Sequence, residues 1–122
     1  IGLKFPCGAA LEHLALGGAP VVRPVRFHQT DSVNLSGLEN LFAAHLMEFP
    51  PEDCALWLLE SIANALVSLA AGVRGPLILA GGVMSNRLIK SRLDAAFETY
   101  SAGSEFAADN AIGVALYGAM QL

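Results

Sequence analysis

Charge is scarce in this chain. Only 15% of its 122 residues are Asp, Glu, Lys or Arg, while 54% are hydrophobic. Disordered chains show the opposite balance, so an unfolded tail is excluded. Positive charge is scarcer still: seven bases face eleven acids, giving a net charge of -4. Nucleic-acid binders usually carry a basic stripe that displaces counterions. The one basic cluster, Arg74, Arg87, Lys90 and Arg92, reads as a solvated helix face. The chain alone is therefore not expected to grip RNA or DNA tightly. Cysteine is nearly absent, with Cys7 and Cys54 and no CxxC pair. That excludes a disulfide scaffold and a cysteine zinc site, and fits a reduced, cytoplasmic setting. His13, His28 and His45 are far apart, so no self-contained metal site is legible. A long unbroken apolar run is also missing. Ala55 to Ala71 is interrupted by Glu60, Ser61, Asn64 and Ser68, and it falls short of the ~20 residues of a membrane span. It reads as a buried core helix. No signal peptide is visible in the opening residues.

What remains is one domain's worth of chain, able to bury roughly two thirds of its unfolded surface. Its mean hydropathy of +0.52 is high for a free-standing soluble domain. With Ile1 in place of an initiator Met, this predicts part of a longer protein with one face resting on another body. Residues 1–61 hold seven acids and three bases, and residues 62–122 four of each.

The pattern predicts a helix over 8–16, stopped by Gly17 and Gly18 as C-terminal glycines do. Pro20 to Gln29 reads as extended, an edge strand, because Pro20 and Pro24 cannot donate to a ladder. Ser32 to Leu35 is a second short strand candidate. Ser36 is the expected N-cap of a helix over 38–49. Pro50 and Pro51 make a hard break, and a helix over 52–71 follows, apolar around most of its circumference. Pro76 to Ala80 is a short apolar run, as a strand buried on both faces reads. Gly81 and Gly82 follow at once, then a helix from Met84 or Ser85 to Phe97, with Asn86 one turn inside it. A loop over 101–105 and a last helix from Ala111 complete the chain.

Three features carry possible chemistry. In LAGGVMSN, Leu79 to Asn86, two glycines after a buried strand let the backbone turn sharply and let a ligand approach. The next helix aims its amides at the same place. The stretch is neither a GxGxxG fingerprint nor a P-loop. A tight turn and a nucleotide or phosphate site are both open, with Asn86 within reach of a ribose or base edge. Asp109 stands at a loop-to-helix junction, as an N-cap or as a carboxylate metal ligand. Asn34 to Asn40, NLSGLEN, is either a plain helix cap or the rim of a cleft.

Five segments in order, GLKFPCGAALEHLA from Gly2, NLSGLEN from Asn34, ESIANAL from Glu60, LAGGVMSNRLIKSRL from Leu79 and ADNAIGVALYG from Ala108, carry a family resemblance. Together they are similar to the C-terminal half of the tRNA threonylcarbamoyladenosine biosynthesis transferases, formerly described as glycoproteases or O-sialoglycoprotein endopeptidases. The resemblance spans almost all of residues 1–122. It implies an α/β lobe of the actin-like ATPase fold, shared with sugar kinases and Hsp70, with a small mixed sheet packed with helices. The N-terminal lobe would lie outside this chain.

The implied activity is transfer of a threonylcarbamoyl group from its adenylate to the adenosine beside the anticodon of tRNA. The fragment alone would be inactive. The rival reading is a non-catalytic nucleotide-binding or scaffolding module, and no nucleophile–base pair or HExxH supports a peptidase. By the resemblance, Gly8, Gly81, Gly82 and Asn86 bind an adenine nucleotide. Asp109 joins two His of the missing lobe in holding iron or zinc. Expected partners are that lobe, tRNA through the full assembly, and a second copy or partner subunit, without a membrane. The chain departs from the family where Glu39 and Asn40 replace Lys and Thr, Cys7 replaces the first Gly of a pair, Ala107 and Ala108 replace Cys and Thr, and the strand between the last two helices looks shortened.

Overall fold

A computed structural model describes residues 8–28 and 35–101. The expected strand at 32–35 falls almost wholly outside them, as do the last helix and Asp109. The chain divides into two compact units, Ile1–Gly72 and Val73–Leu122.

The first unit is helical. α1 (Gly8–Ala15) ends at the expected glycine pair. α2 (Ser36–Leu46) begins earlier than expected: Leu35, not Ser36, occupies the N-cap position, and no side chain caps the helix. Ser36 is thereby the first helical residue rather than its cap. α3 (Pro51–Ala70) starts with proline at its first position and Glu52 and Asp53 in its first turn, where the helix dipole favours acids. It is the core of the unit, burying Cys54, Ala55, Trp57, Leu59, Ser61, Ala63, Ala65 and Ser68. At 20 residues α3 is long and apolar enough to cross a membrane, yet 44% of its most apolar window is buried inside the protein. Ser61, Asn64 and Ser68, buried or half-buried along it, all have protein partners, as a core helix requires.

α1 and α2 pack on α3. The turn after α1 approaches the start of α3 so closely that a Cβ on Gly18 would overlap the Glu52 carbonyl oxygen and meet Leu56 Cβ at 3.0 Å. The Ala19 amide donates to Asp53 Oδ1 at 2.7 Å beside it. From α2, the His45 ring meets Trp57 edge to face with centroids 4.7 Å apart.

Residues 19–28 are extended but form no strand. Their backbone bonds go to side chains of α3 instead of a ladder. Trp57 Nε1 donates to the Arg23 carbonyl at 3.1 Å, and the Val25 amide donates to Ser61 Oγ at 3.0 Å. Asn64 Nδ2 donates to the Val25 carbonyl at 2.8 Å, and Ser68 Oγ donates to the His28 carbonyl. The registers agree for a physical reason. Eleven helical steps from Trp57 to Ser68 rise about 16 Å. Five steps of extended chain from Arg23 to His28 cover about the same length. The edge strand expected here is thus a strap running parallel to α3.

The second unit contains β1 (Leu77–Leu79), a 3-10 turn over Gly82–Ser85, α4 (Arg87–Ala96) and β2 (Thr99–Ser101). β1 and β2 pair in parallel, Leu77 with Thr99 and Leu79 with Ser101. The mixed sheet of the sequence reading is, among the described residues, a parallel pair joined through α4. Parallel strands require such a crossover. Leu79, Ile89 and Leu93 are the buried apolar side chains among its described residues. β2 precedes the loop expected over 101–105 and meets it only at Ser101. The single helix expected from Met84 or Ser85 is split, because Asn86 is extended at φ -71°, ψ 121°.

Candidate functional site

The glycine pair sits at the carboxyl end of β1, where open α/β sheets place ligands. Gly81 holds φ 98° and ψ 168°, a conformation open essentially to glycine alone. It reverses the chain directly into the 3-10 turn. The turn closes on itself: the Met84 amide donates to the Gly81 carbonyl at 3.1 Å, and Ser85 Oγ donates to the Gly82 carbonyl at 2.6 Å. Gly82 differs from Gly81, since a Cβ there would meet nothing within 4 Å. Space beside the Gly82 backbone is therefore open, as close approach by a ligand requires.

Asn86 is the N-cap of α4, one position before the helix rather than one turn inside it. Its Oδ1 accepts from the Ile89 amide at 3.0 Å, and the residue is only 9% exposed. Asparagine is among the best N-caps because its short carbonyl reaches the orphan amides of the first turn. The first turn of α4 begins with Arg87 and carries no acid of its own to offset the positive end of the helix. Farther along, Lys90 donates to Asp94 at 2.6 Å, and Thr99 Oγ1 donates to the same carboxylate from β2.

Gly81, Gly82 and Asn86 are brought together by one turn. Gly8 belongs to the first unit, where it opens α1 with an exposed backbone and free space at its Cβ position. Asp109 lies outside the described residues. Among those residues, no three His, Cys, Asp or Glu side chains gather closely enough to share an ion. The capping role of Asn86 was missed in the sequence. The signal was present in Ser85–Asn86, a pair of N-cap formers just ahead of an apolar helical pattern.

No protein-family model matches the chain. Over 144 aligned residues, all of the chain is 32% identical to tRNA N6-adenosine threonylcarbamoyltransferase from Methylibium petroleiphilum. The chain is a homologue of the tRNA threonylcarbamoyltransferases. It spans 41% of the length of that relative. The aligned stretch is longer than the 122-residue chain, so the relative carries insertions that this chain lacks. Among solved structures, HypF from T. kodakarensis shares the fold with a TM-score of 0.65 at 22% identity, over 93% of this chain and 17% of that one.

Proposed function

We propose that the chain is the C-terminal lobe of a threonylcarbamoyl transferase-like enzyme with the two-lobed actin-like fold. The full protein would move a threonylcarbamoyl group from its adenylate to the adenosine beside the anticodon of a cytoplasmic tRNA. The observation that carries this is the whole-chain likeness to a transferase of that name. The turn supports it, with an open backbone at Gly82 next to a helix whose first turn carries no acid. In the reaction, the adenosine amine bonds to the carbamoyl carbon, the bond from that carbon to the adenylate oxygen breaks, AMP leaves and the amine loses a proton. Oriented donors that meet the developing oxyanion lower such a barrier.

In this reading, Gly82 lets the backbone meet the adenylate, Gly81 holds the turn and Asn86 Nδ2 points a donor at the ligand. Asp109 supplies one ligand to an iron or zinc ion whose remaining ligands come from the other lobe. Gly82→Ala tests the site cleanly, because the added methyl has free space in the fold. In the protein that contains this chain, the variant is expected to keep its melting temperature and lose most tRNA modification, read by mass spectrometry of the nucleosides. Unchanged modification would remove the turn from the site. A scaffolding role is the second reading, favoured by exposed Glu39 and Asn40 where the family has Lys and Thr. Nucleotide binding without any tRNA modification by the wild type would select it.

A further inference from the structure

The first unit is acidic, yet two of its three bases lie three residues apart on the strap over α3. Residues 1–72 hold Lys4, Arg23 and Arg26 against seven acids. Arg23 and Arg26 are exposed, as is Pro20 three residues earlier, while Val22, Pro24, Val25 and Phe27 are half-buried. Val21 and His28 are exposed beside them, and extended chain at ~3.1 Å per residue separates Arg23 and Arg26 by about 9 Å. Neither guanidinium has a carboxylate partner among the described residues.

The backbone beneath them is fixed. The Arg23 carbonyl is held by Trp57, both backbone groups of Val25 by Ser61 and Asn64, and the His28 carbonyl by Ser68. Trp57 and Ser61 are themselves almost inaccessible to solvent, so the anchors do not move aside. A pair of positive charges on a rigid rail loses little backbone freedom on meeting an extended polyanion. Phosphates of one strand recur about every 3.4 Å of duplex axis and lie farther apart along the strand itself, so two guanidinium groups about 9 Å apart can meet two separate phosphates.

We propose that Arg23 and Arg26 are a contact for the sugar-phosphate backbone of RNA, which rests on the tRNA-modifying reading of the whole protein. The contact positions the RNA and reads no sequence, since only phosphates are met. It gives a use to two arginines that have no carboxylate partner among the described residues despite the unit's surplus of acids. The cluster at Arg87, Lys90 and Arg92 is spent differently, Lys90 being paired with Asp94.

The test is fluorescence anisotropy of a labelled tRNA transcript with the full protein over a salt series. Arg23→Gln/Arg26→Gln is compared with Arg74→Gln, an exposed arginine of the second unit. Circular dichroism verifies the fold of each variant. The double variant should bind more weakly, with the slope of log K against log salt reduced by about two, one per lost phosphate contact. Arg74→Gln should leave both unchanged. If the wild type binds and the double variant keeps its affinity and slope, the contact is overturned and the function reading stands. If the wild type binds no tRNA, both fall together. Loss of binding to polyglutamate but not to tRNA would assign the strap to an acidic protein and overturn the proposal.

Discussion

In the proposed site the carboxamide of Asn86 has two ends with different work. Oδ1 accepts from the Ile89 amide, and Nδ2 is the proposed donor to the adenylate. Simple truncation therefore confuses two losses. Asn86→Ala removes the cap and should cost about 1 kcal/mol of stability. Asn86→Asp keeps a capping oxygen of equal preference but replaces the Nδ2 donor with an acceptor. The expected result is a lowered melting temperature for Ala alone and a lowered adenylate affinity for both, measured by calorimetry on the full protein. An Asp variant that binds adenylate as the wild type does would leave Asn86 as a cap and nothing more. Gly81 and Gly82 show a similar division of work between neighbours. The first is needed for its backbone angles, whereas the second is free for close approach.

Among the elements, α4 and β2 are tied by one carboxylate. Asp94 accepts from Lys90 and Thr99, and these hydrogen bonds, Lys90 first, hold its carboxyl below the ordinary range. A depressed acid contributes stability above its unfolded value, near pH 4, and loses it as pH falls through the folded value. Melts of wild type and Asp94→Asn should differ at neutral pH and converge in acid. A gap that persists at low pH would mean that the ionised carboxylate is not what holds the two elements. β2 was legible only as a shortened strand after α4, without bounds, because Thr99 to Ser101 is three residues long and mostly exposed. β1, three apolar residues between Pro76 and the glycines, was plain. α1 and α3 were equally plain, since Gly17, Gly18, Pro50 and Pro51 leave few choices for where a helix stops and starts. The extended character of residues 20–28 followed from its prolines, but its partner did not. Pairing of backbone to helix side chains depends on Trp57, Ser61, Asn64 and Ser68 sharing one face of α3. A periodicity reading that counts only apolar residues treats the three polar ones as interruptions. At the site, the glycine turn was visible and the cap was not, because Met84 to Phe97 has a continuous helical pattern that only the geometry of Asn86 interrupts.

For the whole molecule, the question is what this chain lacks when it stands alone. Leu16 and Met47 are 80% and 89% exposed, so two large apolar side chains of the first unit have no cover within it. The reading proposed above puts another lobe beside the chain. That lobe would also complete the metal site, because one carboxylate cannot supply the three or four protein ligands of a transition-metal centre. Asp109 is this chain's proposed share. Elemental analysis separates the possibilities. The purified chain of 122 residues should carry no stoichiometric iron or zinc, while the full protein should carry about one ion. Asp109→Ala in the full protein should reduce that content, because a hard or borderline cation loses its one oxygen ligand from this lobe. Equal metal in wild type and variant would return Asp109 to an ordinary helix cap. Stoichiometric metal in the purified chain would instead require a set of ligands within residues 1–122, contrary to the division of the site between two lobes.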